Sequence, residues 1–274
     1  MEVSLLHRFC GVWFGLQTAI ASQPSLSEVN GIAQDLWQEL LVAGEWELKG
    51  ENHYAGRWLS EPLMNALALI PVFLFYHEDP DYLGDRLERR AMDGEQLIVA
   101  KDVGKCLSDC LREKVTLAEF RVWLGRRSPD FTTETALLES IYDQNRSWQD
   151  YQRQLSMMTL TLAAKQLLQL YGAILWSGGN TRHCRQLLQD CEPAVQAWGL
   201  VFCGCLRGDR QSRQRNKILL NHHELMADVI AFWSRWSGLP PANRLRLEQF
   251  PVIANAQSLK PRPSLQLISQ RHLT

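Results

Sequence analysis

Three groups of side chains in this 274-residue sequence are of types that could do chemistry. The first is acidic: Glu78, Asp79 and Asp81 follow directly on an apolar stretch in SEPLMNALALIPVFLFYHEDPDYL, residues 60 to 83. Charge is costly beside so much apolar surface, which raises the question of an active-site fragment. The second is sulfur and imidazole: Cys203 and Cys205, with Cys184, Cys191, His183, His222 and His223, are the ligand types of a zinc site. Their spacing matches no zinc ribbon or finger, and the cysteines have apolar helical neighbours, so core thiols are expected instead. The third is basic: Arg207, Arg210, Arg213, Arg215 and Lys217 lie close enough to meet phosphates or RNA. No aromatic residue is interleaved among them to stack on bases, so a solvated loop is the plainer reading. SGGNTRH, residues 177 to 183, is glycine-rich but lacks the lysine and the preceding strand of a phosphate loop, and reads as a turn between helices with Gly178 and Gly179 at positive φ.

The elements that must position these groups read as helices throughout. A hydroxyl or amide cap followed three residues later by an acid occurs at Ser25/Glu28, Thr116/Glu119, Ser147/Asp150 and Asn221/Glu224. Helical spacing follows, as Trp148, Tyr151, Leu155, Met158, Leu162 and on to Tyr171 in the longest, and as Leu225, Val229, Phe232, Trp233 and Trp236 in the last. Residues 97 to 112 repeat it through Val99, Val103, Cys106, Leu107, Cys110 and Leu111, which sets Cys106 and Cys110 on one core-facing side. The opening stretch reads as one apolar helix with Ser60 as its cap and Pro71 in its middle. Breaks are expected near Gly44 to Gly56, Glu78 to Gly84, Gly125 to Pro129, Gly178 to Gly179, Gly208 and Gly238 to Pro241. Alternating strand patterns do not extend beyond a few residues. The expected fold is therefore all-α, a single multi-helix domain over residues 1 to 242, followed by a basic, partly ordered tail over 243 to 274 that carries Arg244, Arg246, Lys260, Arg262 and Arg271.

Composition narrows the function classes. Lysine plus arginine number 29 against 30 acids, so no global field drives the chain onto nucleic acid or anionic lipid, and such binding would have to be local. Seven cysteines form no dense framework, which predicts reduced cytoplasmic thiols. MEVSLLHRFCGVWFGLQTAIASQP imitates a signal peptide ending in Ala19-Ile20-Ala21, but Glu2 and Gln17 interrupt that pattern and a first helix of the fold is expected. No apolar run is long enough to span a membrane. Of the ten tryptophans, Trp46, Trp58 and Trp123 lie near breaks and are expected at an interface.

Several of these segments resemble, in order, the ADP-ribosylglycohydrolase family, an all-α fold with a two-magnesium centre. Ser60, Met64, Pro71 and the Phe73 to Tyr76 run resemble the family's Ser-Asn-Gly-Ala-Met-Arg helix and its apolar continuation. Arg8, Phe9, Gly11 and Gly15 in LLHRFCGVWFG resemble its opening Arg-Phe-x-Gly-x-x-x-Gly helix. LIVAKDVGKCLSDCLREKVTL is similar to the helix that follows in divergent cyanobacterial-type members, and EPAVQAWGLVFCGCLRG is similar to the glycine-spaced helix that closes the family's metal site. Gly11/Gly15 and Gly199/Gly204 are each expected to clear one helix face for close backbone approach.

The resemblance implies carboxylates converging from several helices, because paired magnesium ions need oxygen ligands to hold and activate a water. The implied motifs are a Gly-Asp-Ala, a Thr-Asp-Asp-Thr and an Asp-x-Asp-Thr. Here residues 11 to 27 hold no acid, the chain has no Asp-Asp pair, and the family's arginine after methionine falls on Asn65. Counting back from Gly199, Asp190 and Glu192 stand where the Asp-x-Asp would, able to hold magnesium through water or, more plainly, to serve as a solvated helix end and a first-turn acid beside Pro193. Glu45, Glu47 and Glu51 fall in a region that could supply others, and read better as a solvated loop. The expected function is a non-catalytic, ADP-ribosylglycohydrolase-like scaffold that regulates or binds a protein partner, with no catalytic residue and no cofactor. A magnesium-dependent hydrolase of ADP-ribosyl bonds, using Asp190 and Glu192, is the alternative. A helical nucleic-acid-binding module using the 207 to 217 run is a third.

Overall fold

The computed structural model describes residues 5–43, 59–89, 94–112, 147–207 and 222–237, with positions 46, 92, 119, 120, 138, 140 and 142. The caps at Thr116 and Asn221, Trp58, Trp123, and the 243 to 274 tail lie outside the described residues. Within them the fold is all-α, with no strand. The helices are α1 (Leu5–Ser22), α2 (Ser27–Ala43), α3 (Pro62–Ala68), α4 (Ile70–Phe75), α5 (Pro80–Glu88), α6 (Gly94–Leu111), α7 (Trp148–Met157), α8 (Leu162–Ser177), α9 (Thr181–Leu187), α10 (Pro193–Arg207) and α11 (His222–Ser237). A 3-10 turn, Pro24–Leu26, joins α1 to α2. All contribute to one hydrophobic core.

Glycine decides how the centre of that core is built. A Cβ placed on Gly204 would lie 2.1 Å from the carbonyl oxygen of Gly11, and one on Gly15 would lie 2.6 Å from that of Leu200. Gly11 faces Gly204 while Gly15 faces Leu200, so α1 and α10 run antiparallel with their backbones in contact. This is the most extensive helix pairing among the described residues. The expectation that Gly199 and Gly204 share a face is corrected. Five residues put them on different sides of a helix, and a Cβ on Gly199 would instead meet Leu188 Cδ1 at 2.6 Å and Cys184 Sγ at 3.0 Å, on the α9 side.

Around this pair, α3 and α4 pack on α2 and α6, α8 and α9 pack on α10, and α11 lies across α1 and α2. The α11 seam is aromatic: Trp13 stacks on Trp37 and Trp37 on Phe232, each with centroids 4.0 Å apart. Arg8 of α1 is buried and donates to the Cys110 carbonyl at 2.8 Å, a cation on an unpaired acceptor in the last turn of α6.

Local chemistry explains where helices start and stop, and several expectations change. Ser147 caps α7, accepting from the Asp150 N–H at 3.2 Å and donating to the Asp150 carboxylate at 2.7 Å. Ser25 does not cap, because Pro24 starts the 3-10 turn and α2 begins at Ser27. The long pattern from Trp148 to Tyr171 is two helices: Met158 is extended, and Thr161 starts α8 by accepting from the Ala164 N–H. Gly178 and Gly179, at φ 57° and 66°, end α8 as expected. The break expected from Glu78 to Gly84 closes sooner, since Asp79 caps α5 and Gly84 is helical. The opening stretch divides at Leu69, where ψ of 0° separates α3 from α4, and Pro71 falls in the first turn of α4, where a missing N–H is tolerated. Its cap position is Glu61, not Ser60, which is exposed.

Gly204→Ala is expected to destabilise the protein by about 2 kcal/mol or more in urea unfolding, because the new methyl overlaps backbone that cannot move aside. Gly31→Ala, whose Cβ would meet nothing within 4 Å on α2, should instead stabilise by about 0.5–1 kcal/mol. Equal stabilities for the two variants would contradict the backbone contact.

Candidate functional site

The dipeptide Glu-Pro occurs at the head of two helices, as Glu61-Pro62 before α3 and Glu192-Pro193 before α10. In each, proline presets φ for the first turn and removes a donor that would have no helical partner. Neither the cap position nor the proline fixes the glutamate side chain, and tertiary contacts do. Glu61 leaves its own helix head uncapped and accepts from Gln166 Nε2 of α8 at 2.9 Å. Burial pushes its carboxyl above the ordinary value, the Gln166 bond opposes this, and the charge of Glu192 adds a smaller upward push. Gln166 is 1 % exposed, and its Oε1 is buried without a protein partner.

Of the two acids nominated in this region, Glu192 adds its charge to the surroundings of Glu61. Both are exposed, and the nearest hydrogen-bond donor to Asp190 is Gln189 Nε2 at 3.4 Å. The turn that carries them is held by an amide: Gln196 Nε2 donates to the carbonyls of Cys191 at 2.8 Å and Gln189 at 3.2 Å, while its Oε1 accepts from Gln23 Nε2 at 2.8 Å. Sequence reasoning missed Glu61. The signal available was the repeated Glu-Pro pair, which marks equivalent helix heads without showing that they adjoin. Burial biases Glu61 toward its neutral form.

Asn65 is fully buried and used by the fold. It accepts from the Leu59 N–H and donates to the Leu59 carbonyl, both at 2.5 Å, and Gln96 Nε2 donates to the same carbonyl at 2.9 Å. Trp198 Nε1 donates to the Leu63 carbonyl at 3.1 Å, tying α10 to the first turn of α3.

The acids after the apolar stretch take separate roles. Residues 66 to 76 are buried as an inner wall of the core, which accounts for their apolarity without a ligand. Asp79 caps α5, accepting from the Tyr82 N–H at 2.9 Å, and Asp81 lies in the first turn. Glu78 is partly buried and its Oε1 has no protein partner; desolvation pushes its carboxyl up to about 7 against the pull of Arg112. His77 beside it is fully buried between Phe9 and Trp236, with Nδ1 bonded to the Leu74 carbonyl at 2.8 Å, and burial lowers its imidazole to about 3.

The remaining nominated groups do not assemble among the described residues. Cys184, Cys203, Cys205, Cys106 and Cys110 are buried and Cys191 is half-buried, so the thiols serve as core groups as expected. His183 is exposed at the start of α9, and the side chains of His222 and His223 lie outside the described residues. Among the described residues no three metal-ligating side chains gather. Arg207 is exposed and donates to the Gly178 carbonyl at 2.6 Å, closing the α8–α9 turn; Arg210, Arg213, Arg215 and Lys217 lie outside the described residues, as do Glu45, Glu47 and Glu51. Trp46 is corrected from an interface residue to a core residue, 0 % exposed, its backbone N–H donating to the Tyr76 hydroxyl at 2.9 Å. No helix among the described residues is long and apolar enough to cross a membrane. No protein-family model, curated protein or solved structure matches the chain.

A pH dependence follows for Glu78. Its folded value, about 7, exceeds the ordinary 4.5, so the stability associated with it is fully present below 4.5 and is lost as pH rises through 7. His77, lowered to about 3 from 6.5, runs the other way and loses stability as pH falls below 6.5. The difference in unfolding free energy between the parent and Glu78→Gln isolates the first effect, and should shift in favour of the variant from pH 4.5 to 7. A flat difference across that window would rule out a desolvated Glu78.

Proposed function

We propose that the protein is a non-catalytic helical scaffold of the ADP-ribosylglycohydrolase type that acts through a protein partner. The observation that carries this reading is the use made of the residues on which the resemblance rests. Asn65 binds both polar groups of Leu59 from a fully buried position, and Arg8 is committed to a carbonyl at the end of α6. Gly15 and Gly204 serve contact between backbones. Each of these positions has a structural role in the fold. The nominated acids agree: Asp190 is solvated, and Glu192 heads α10, where a negative charge suits the helix dipole.

One observation favours the hydrolase reading, namely the approach of Glu61 to Glu192 at two adjoining helix heads. Isothermal calorimetry with magnesium and ADP-ribose separates the two. The scaffold reading expects no saturable heat and an unchanged fold in Asp190→Asn/Glu192→Gln by circular dichroism. Saturable, magnesium-dependent binding or hydrolysis that this double variant abolishes would overturn it.

A further inference from the structure

Helix α9 is held to the core by little. Of its seven residues only Cys184 is buried, and the others are half-buried or exposed; Leu188, just past its end, is buried beside Gly199. Cys184 also points at α10. A Cβ on Gly199 would lie 3.0 Å from its Sγ, so the missing side chain at that position makes room for the sulfur. Cys203 follows Gly199 by four residues on the same face of α10, and a helical side chain leans toward the N-terminus, over the turn before it. The two sulfurs therefore meet above Gly199. A hydrogen bond between these thiols, and then burial, pushes the Cys203 thiol well above its ordinary value. Both are free thiols, each 0 % exposed.

We propose that Cys184 and Cys203 form a redox latch, in which oxidation by a small-molecule disulfide of the glutathione class joins the two and locks α9 onto α10. The Cys184 thiolate attacks one sulfur of the oxidant, releasing one thiol and leaving a mixed disulfide; Cys203 then attacks the Cys184 sulfur and releases the second. The pair gives up two electrons and two protons, and the oxidant leaves as two thiols. Buried thiols are inert while covered, so the reaction runs through an opening of α9. That opening is local, because the helix takes only one buried side chain of its own with it, and openings cost less the fewer buried contacts they break. Cys106 and Cys110 show the contrast. They too share a helix face, but α6 is buried from Gln96 to Leu111 along that side, and exposing them means dismantling the core. The latch thus selects one pair among the buried thiols, and it fixes the segment that leads into the head of α10.

The test incubates the full chain in native buffer at mildly alkaline pH with oxidised glutathione, alkylates the remaining thiols, and maps disulfides by peptide mass spectrometry. A peptide pair joined through Cys184 and Cys203 should dominate, form while the circular dichroism spectrum is unchanged, and revert with dithiothreitol. Oxidation should slow amide hydrogen exchange across residues 181–187 at least tenfold. Cys203→Ala should stop at the Cys184–glutathione adduct. The disulfide map of the parent chain needs no variant, so a folding failure in Cys203→Ala leaves the test standing. Absence of the Cys184–Cys203 link, a link that forms only in urea, a Cys184–Cys191 link in its place, or unchanged exchange in α9 on oxidation would each overturn the proposal.

Discussion

Two helices in this protein touch through their backbones, and the remaining packing is arranged around that contact. Side chains normally hold helix axes about 8–10 Å apart. Gly15 against Leu200 and Gly204 against Gly11 remove that separation for α1 and α10, which then behave as one central unit. Its directions are inherited by everything attached to it. α1 carries Arg8 to the end of α6 and Phe9 to the aromatic seam under α11; α10 carries Trp198 to the first turn of α3 and Glu192 to the neighbourhood of Glu61.

The second consequence is electrostatic. Two helix heads that start with Glu-Pro are brought near each other as α10 packs on α3. Burial raises the proton affinity of Glu61, the more buried of the two acids, and the charge of Glu192 adds to it. The positive ends of α3 and α10 favour negative charge at both positions. Gln166 and Gln196 complete it: one amide holds the Glu61 carboxyl, and the other holds the backbone of the turn before α10. Hydrogen bonding by neutral amides fixes this corner of the fold without adding charge to it.

At the end of the apolar stretch, His77 and Glu78 are adjacent in sequence and both disfavour their charged forms, with opposite effects on stability as pH changes. The cause is the same for each, removal from water beside a wall of buried aromatic and aliphatic groups. That wall also accounts for the acids that follow it. Asp79 and Asp81 follow where the chain leaves the core: Asp79 caps α5, and Asp81 in its first turn is exposed to water.

Much of the architecture was legible in the sequence. Periodic apolar residues and turn signals report local conformational preference and the burial of one helix face, and these identified the all-α class, the Ser147 cap, the Gly178–Gly179 stop and the core face of α6 that carries Cys106 and Cys110. Glycine spacing anticipated close helix approach, yet it could not say that Gly199 and Gly204 serve different neighbours, because a residue's partner depends on which helix arrives. Periodicity ran through Met158 to Thr161 without sensing a break decided by one hydroxyl cap, and it could not separate a tryptophan at an interface from Trp46 in the core. What the sequence alone determined is where helices form and which sides are apolar, since backbone propensity and hydration act locally. Only the tertiary structure decided that Glu61 meets Gln166 and is half-buried while Asp190 stays in water, because proximity across 105 residues and the loss of water on burial belong to the packed state and to no short stretch of chain.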